Sequence, residues 1–166
     1  MFEADTASRS LGIELVELSD GHAVVRMRVT GAMVNGHAIG HGGYVFLLAD
    51  TAFACACNTH GPVTVAASAS ITFLAPVAEG DVLTAHAQER VIYGRSGIYD
   101  VTVWRGDEVV AEFRGHSRSL PPASKSSGPA RLPAAAGRTE PPMPDRLPGS
   151  PASPRPRDNN KRCYDC

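Results

Sequence analysis

The chain has 166 residues, with 16 basic and 17 acidic side chains and a net charge of −1, a length that suits one domain with an ordinary core. The balance is uneven: residues 1–120 carry eight Lys/Arg against thirteen Asp/Glu, and residues 121–166 carry eight against four. An acidic body argues against nucleic acid as a partner. No apolar run nears the roughly 18 residues that a membrane span needs, so no membrane partner is expected either.

The opening Met-Phe-Glu-Ala-Asp lacks the basic flank and apolar stretch of a secretory leader, which points to the cytoplasm. Composition breaks at Pro121, with eleven of the thirteen prolines in 121–166. Such a stretch has too little apolar surface to offset its ordering entropy, so a disordered basic tail is expected after a folded domain at 1–120. Cys163 and Cys166 form a C-x-x-C within it, without the second ligand pair of a zinc site or the strand–helix setting of a redox motif.

In chain order, residues 3–11 suit a short helix stopped by Gly12. Residues 13–18 and 23–30 read as strands joined at Asp20-Gly21, a strong hairpin signal. In the second, Val25, Met27 and Val29 alternate with Arg26, Arg28 and Thr30, the pattern of a strand with one wet face. Residues 31–43 hold five glycines and no periodicity, and read as a loop.

A helix opens near Gly42-Gly43, with Val45, Leu48, Ala49, Ala52, Phe53 and Ala56 along one apolar stripe. Its other side carries Phe46, Leu47, Ala54 and Cys57, so the helix should be covered by its own sheet on one side and a second subunit on the other. Gly61 is the expected C-terminal cap, and Pro62 bars continuation. Strands at 64–74, 82–93, 98–104 and 109–119 follow, with Tyr99, Val101 and Val103 alternating against Asp100 and Thr102. The order predicts an α+β domain, an antiparallel meander wrapped around one long central helix.

Asp50 lies in the middle of that helix, where a carboxylate is costly unless paired or used. Cys55 and Cys57, two apart, point in different directions and read as small core residues.

These features carry a resemblance over residues 1–120. Asn35-Gly36-His37, His41-Gly42-Gly43, the run from Leu48 through Asp50 to Ala54, the strand end at Ile71 to Pro76 and the closing Phe113-Arg114-Gly115 are similar to those of hot-dog-fold acyl-CoA thioesterases, specifically the phenylacetic acid degradation (PaaI) type. The resemblance implies a hot-dog thioesterase domain and hydrolysis of an acyl-CoA thioester. It implies an aromatic acyl group such as phenylacetyl or a hydroxylated relative. It also implies homo-oligomers, side-by-side dimers that pair into tetramers, with sites at the subunit interface. The tail after Leu120 has no counterpart in it.

Thioester hydrolysis needs a polarised carbonyl and an attacking oxygen. A helix N-terminus offers free N–H groups, so the Gly42 amide is assigned to the carbonyl, with Gly43 beside it at the substrate. Asp50 is the general base for water or the nucleophile of a transient anhydride. Asn35 is expected to orient substrate or water and His41 to fix the loop. Thr51 is expected to brace Asp50, Ser68 or Ser70 to hold water, and Arg90, Arg95 and Arg114 to meet the CoA phosphates.

Gly42 and Asp50 stand about 12 Å apart along the helix axis, too far for one carbonyl to meet both, so the working pair should combine two subunits. His37 and His41 are four apart, but in a loop rather than a helix, so no metal is expected, nor any cofactor. The competing reading is a non-catalytic acyl-CoA-binding or sensing module on the same fold.

Overall fold

The structure is a computed structural model that describes residues 2–121; the expectations for the tail, Cys163 and Cys166 included, lie outside the described residues. A 3₁₀ turn at Phe2–Ala4 leads into α1 (Thr6–Ser10), and β1 (Glu14–Ser19) and β2 (His22–Arg28) form the expected hairpin. A second 3₁₀ turn, Gly31–Met33, precedes α2 (Gly42–Cys57). Then come β3 (Thr64–Phe73), β4 (Val82–Tyr93), β5 (Ser96–Arg105) and β6 (Glu108–Ser119). Among the described residues no helix is long and apolar enough to cross a membrane.

The six strands make one antiparallel sheet in the order β1-β2-β4-β5-β6-β3. This corrects the expected meander. The succession β4-β5-β6 is a meander, but β3 pairs with β6 at the far edge instead of with β4. The link at 74–81 is eight residues long and holds Pro76 and Gly80. That is longer than a hairpin loop of about 2–5 residues, and long enough to cross an end of the sheet. The helix end is also corrected. Asn58, not Gly61, caps α2, while Gly61 lies in the next turn at φ +96°. Asn58 Nδ2 donates to the Ala54 carbonyl at 2.9 Å and to the Thr64 carbonyl at 2.9 Å. Its Oδ1 accepts the Thr64 N–H at 3.0 Å, tying the helix end to the start of β3.

The concave face of the sheet wraps α2. Leu48, Ala49, Ala52, Phe53 and Ala56 are buried against Val25, Met27, Leu83, Ala85, Tyr99, Val101, Val103 and Phe113. Alanines on both sides of this contact let the helix sit close to the strands. Phe53 lies directly over Gly115, where an added Cβ would stand 2.8 Å from the ring, and its edge meets Tyr99 at 5.5 Å between ring centroids. Along β5, Tyr99, Val101 and Val103 turn inward as the alternation predicts. Cys55 and Cys57 are both core residues, burial pushing their thiols up to about 11 and about 12.

The two edges of the sheet differ. β1 carries Glu14 and Glu17, whereas β3 has no charged residue and is exposed from Val65 to Ser70. An uncharged, open, ten-residue edge is a template for pairing with another strand. Gly115→Ala forces the Phe53 ring out of its seat and should destabilise the fold by about 1–3 kcal/mol, measured as a lowered denaturant midpoint with unchanged m-value.

Candidate active site

The N-terminus of α2 is built by the loop before it. Asn35 Oδ1 accepts the N–H groups of His37 at 2.9 Å and Ile39 at 3.3 Å, closing a tight loop in which Ala38 takes a left-handed φ of 58°. The loop is pinned at its base, where Gly40 N–H donates to the Val77 carbonyl at 2.7 Å and His41 N–H to the Met33 carbonyl at 2.8 Å. Asn35 thus spends its oxygen on the backbone, while its Nδ2 has no hydrogen-bond partner among the described residues.

His41 is the N-cap, an extended residue whose Nδ1 accepts the Gly43 N–H at 3.0 Å. An accepting Nδ1 places the imidazole proton on Nε2. The Tyr44 N–H donates to the His41 carbonyl at 2.9 Å. The Gly42 N–H is left without a partner among the described residues, at the end of the helix where the backbone dipoles favour negative charge. Side chains lie close against both glycines. A Cβ at Gly42 would stand 3.0 Å from the Phe73 ring, and one at Gly43 would stand 3.1 Å from His41.

The sheet covers α2 on one side only. On the other, Gly43, Leu47, Asp50 and Ala54 form a strip that stays partly or fully open, bordered by Phe46, whose ring packs on Phe113 of β6. Asp50 lies in that strip with no hydrogen bond or ion pair to any described residue, and partial burial holds its carboxyl above the usual carboxylate range. Eight helical residues separate it from Gly42, two turns and a further 80° around the axis.

The remaining candidates fall elsewhere. Thr51 is 7 % exposed and turned toward α1, off the open strip. Ser68 and Ser70 pair with His116 and Arg114, residues of β6 whose neighbours Phe113 and Gly115 face the helix. Both serines therefore lie on the outer face of the sheet, away from Asp50 of the same subunit. Arg114 grips Asp100 through Nε at 2.6 Å and through Nη2 at 2.9 Å, and Arg90 joins the same carboxylate at 3.4 Å. Arg90 and Arg114 are thus committed on the outer face, beside Ser70. Arg95 occupies the β4–β5 turn near the C-terminal end of α2, close to His60 and Cys57. There His60 Nε2 meets Glu89 Oε2 at 2.6 Å, and the buried Tyr99 hydroxyl donates to the same oxygen at 2.9 Å.

Two features were not legible in the sequence. One is a cavity of about 470 Å³ beside Gly42, lined by Phe73, Leu74 and Val110 from elements distant in the chain. The other is a buried hydroxyl chain. Ser8 Oγ donates to Asp5 at 2.5 Å and stands 3.1 Å from Thr51 Oγ1, one residue after Asp50. The N-cap spacing Asp5-x-x-Ser8 is visible in the sequence, but its meeting with Thr51 needs the fold.

A long helix wrapped by a six-stranded antiparallel sheet defines the hot-dog class. The Thioesterase superfamily pattern matches residues 37–112. The curated Escherichia coli acyl-coenzyme A thioesterase PaaI is 46% identical over 121 residues, covering 72% of this chain and 86% of the relative. The solved structure of PaaI from the E. coli phenylacetic acid degradation operon superposes with TM-score 0.71 at 45% identity, over 73% of this chain and 88% of that one. A Thermus thermophilus protein gives TM-score 0.68 at 36% identity, covering 70% and 98%. A Streptococcus mutans protein bound to acetyl CoA gives TM-score 0.63 at 25% identity, covering 65% and 88%. The chain belongs to the thioesterase superfamily, in its PaaI-type branch, and is an acyl-CoA thioesterase.

Ser8→Ala should lower stability by about 1 kcal/mol. The Ser8 hydroxyl and backbone bonds hold Asp5 below its usual 3.8, so their contribution is fully present above that value and lost as pH falls through the lowered pKa. The deficit of the variant in urea unfolding should accordingly be largest above pH 4 and shrink below it.

Proposed function

We propose that this thioesterase hydrolyses aromatic acyl-CoA substrates such as phenylacetyl-CoA or hydroxyphenylacetyl-CoA, in the cytoplasm, at sites shared by two subunits. The observation that carries the reading is one helix holding a Gly42 N–H and an Asp50 carboxyl that have no partner among the described residues and lie too far apart to serve one carbonyl. The E. coli relative, named a CoA thioesterase and encoded with phenylacetic acid degradation, supports the aromatic acyl group. The neighbour bound to acetyl CoA supports the carrier.

A second copy that adds its β3 to the open β3 edge continues the sheet and covers the open strip of α2. Two such dimers make the homotetramer. The Gly42 amide of one subunit then faces Asp50 of its neighbour across the substrate. Asp50 acts as general base: it takes a proton from water as the water oxygen attacks the thioester carbon. The resulting oxyanion is stabilised by the Gly42 N–H and the positive end of the helix. The tetrahedral species collapses by breaking the C–S bond, and the CoA sulfur leaves with the proton held by Asp50, so both charge and carboxylate are restored. A carboxyl raised by burial suits this role better than an ordinary one, because its conjugate base is stronger. The free Nδ2 of Asn35 orients substrate, and His41, by capping Gly43, keeps the Gly42 amide available. Arg95, with no ion-pair partner among the described residues, meets the CoA phosphates.

Asp50→Asn should lower kcat for phenylacetyl-CoA by roughly 10²–10⁴-fold, read as released CoA with a thiol reagent. A raised pKa means that ionisation of Asp50 opposes folding, so the stability lost as pH rises through the folded pKa is recovered by the amide. The variant should melt no lower than wild type at pH 7, and the gap should close as pH falls toward 4.

The shared site has its own test. Gly42→Pro removes the N–H at a first helical position that tolerates proline, with His41 already extended before it at φ −65° and ψ 126°, and the half-exposed Phe73 ring, 3.0 Å from the added Cβ, must shift to admit it. Each variant alone should be inactive. Co-refolded Asp50→Asn and Gly42→Pro chains should regain about a quarter of wild-type activity, since half the two-fold dimers are hybrid and each hybrid has one intact site. No recovery in verified hybrids refutes the shared site.

A further inference from the structure

We propose that α1 positions the catalytic carboxylate: the Ser8 hydroxyl, acting through Thr51, holds the turn of α2 that carries Asp50. The proposal rests on the thioesterase reading above, with Asp50 as general base.

α2 is fastened unevenly. Ala49, Ala52, Phe53 and Ala56 press it against the sheet, while Leu47, Asp50 and Ala54 stay open on the opposite side. Apolar packing is non-directional, so the pitch of the open turn is left to directional bonds. Thr51 supplies one. It lies about 100° around the axis from Asp50, on the flank between sheet and open strip, and is 7 % exposed under α1. Cys55 follows one turn along the same flank, and burial, followed by the charge of Asp5, pushes its thiol up to about 11. Among the described residues the Ser8–Thr51 contact is the one side-chain hydrogen bond between α1 and α2, with Ser8 2 % exposed.

Three contacts run in series. Ser8 Oγ donates to Asp5 Oδ2 at 2.5 Å, Ser8 Oγ and Thr51 Oγ1 stand 3.1 Å apart, and Thr51 Oγ1 donates to the Leu47 carbonyl at 2.8 Å. Two hydroxyl protons serve these three contacts while Asp5 is ionised. Ser8 gives its proton to the carboxylate, and a hydroxyl polarised in that way is a stronger acceptor. The Thr51 proton is therefore drawn toward Ser8 and away from Leu47. A threonine that bonds back to the carbonyl four residues earlier bends its helix, so the pull from Ser8 sets the curvature of the turn from Leu47 to Thr51. Asp50 is inside that turn. The base of the clamp is itself fixed. The Ser8 N–H donates to Asp5 Oδ1 at 3.0 Å, the Ser8 carbonyl accepts the Ile13 N–H at 3.1 Å, and Phe2 and Leu11 pack on the core.

A general base must come within about 2.6–3.2 Å of the proton it takes, and a misplacement of about 1 Å costs up to about 10²-fold in rate. Ser8 and Thr51 lie off the open strip, so their loss should act on kcat and spare KM. The test measures both constants for phenylacetyl-CoA in Thr51→Val, Thr51→Ser and Ser8→Ala, each also made in the Asp50→Asn background. Thr51→Val and Ser8→Ala should each lower kcat by about tenfold with KM changed by less than about twofold. Thr51→Ser, which keeps the hydroxyl, should restore most of the kcat lost in Thr51→Val. In Asp50→Asn, Thr51→Val should cost less than about twofold, because the group it positions is gone. If Thr51→Val does not fold, Ser8→Ala is read in the same way. A kcat unmoved in the folded variants, a loss carried by KM, or the same loss repeated in the Asp50→Asn background overturns the proposal while leaving thioester hydrolysis intact. Full activity of Asp50→Asn removes the reading beneath it and the proposal with it.

Discussion

The contact between one side of α2 and the concave sheet decides the rest of the molecule. Phe53 sits over Gly115, and Ala49, Ala52 and Ala56 bring the helix close to the strands. Burying a side chain of this kind contributes about 1.5–3 kcal/mol, and the fit of the Phe53 ring over Gly115 favours the observed rotation of the helix. A turn of one residue, about 100°, would drive Asp50 toward the strands. The packing that stabilises the core therefore also sets which residues stay open. Those are Gly43, Leu47, Asp50 and Ala54.

The site is made of groups that the fold leaves unsatisfied. His41 caps the helix through the Gly43 N–H and so leaves the preceding amide uncommitted. Asp50 receives no donor among the described residues, and desolvation by partial burial raises its pKa. In the mechanism proposed above both serve thioester hydrolysis, where a developing oxyanion needs a donor and water needs a base. The surroundings compensate. Asn35 closes the preceding loop on itself, and Ser8 and Asp5 anchor the turn of α2 that holds Thr51. Asn58 ties down the far end of the helix. Rigid support around a desolvated centre is what keeps reacting groups in place.

Local pattern was legible where a single element sufficed. The Asp20-Gly21 hairpin, the opening of α2 at Gly42 and the alternation of Tyr99, Val101 and Val103 follow from turn chemistry and periodicity. Pairings between distant strands were not legible. β3 reads as the next strand of a meander, yet it pairs with β6, because nothing within 64–73 distinguishes one antiparallel neighbour from another. For the same reason Ser68 and Ser70 looked available to the site. Register against Arg114 and His116 turns them to the outer face, and a shift of one residue would have done the opposite.

What the sequence determined by itself was the helix, its glycine-opened start, and an isolated carboxylate where none is comfortable. Those are properties of residues within a few turns of one another, governed by capping, periodicity and desolvation. What the tertiary structure decided was which side of that helix is closed, that Thr51 faces α1 rather than solvent, that Arg90 and Arg114 are held by Asp100, and that Phe73, Leu74 and Val110 line an open pocket beside Gly42. These depend on strand order and register, which are set by the summed burial of many side chains far apart in the chain and by no local signal.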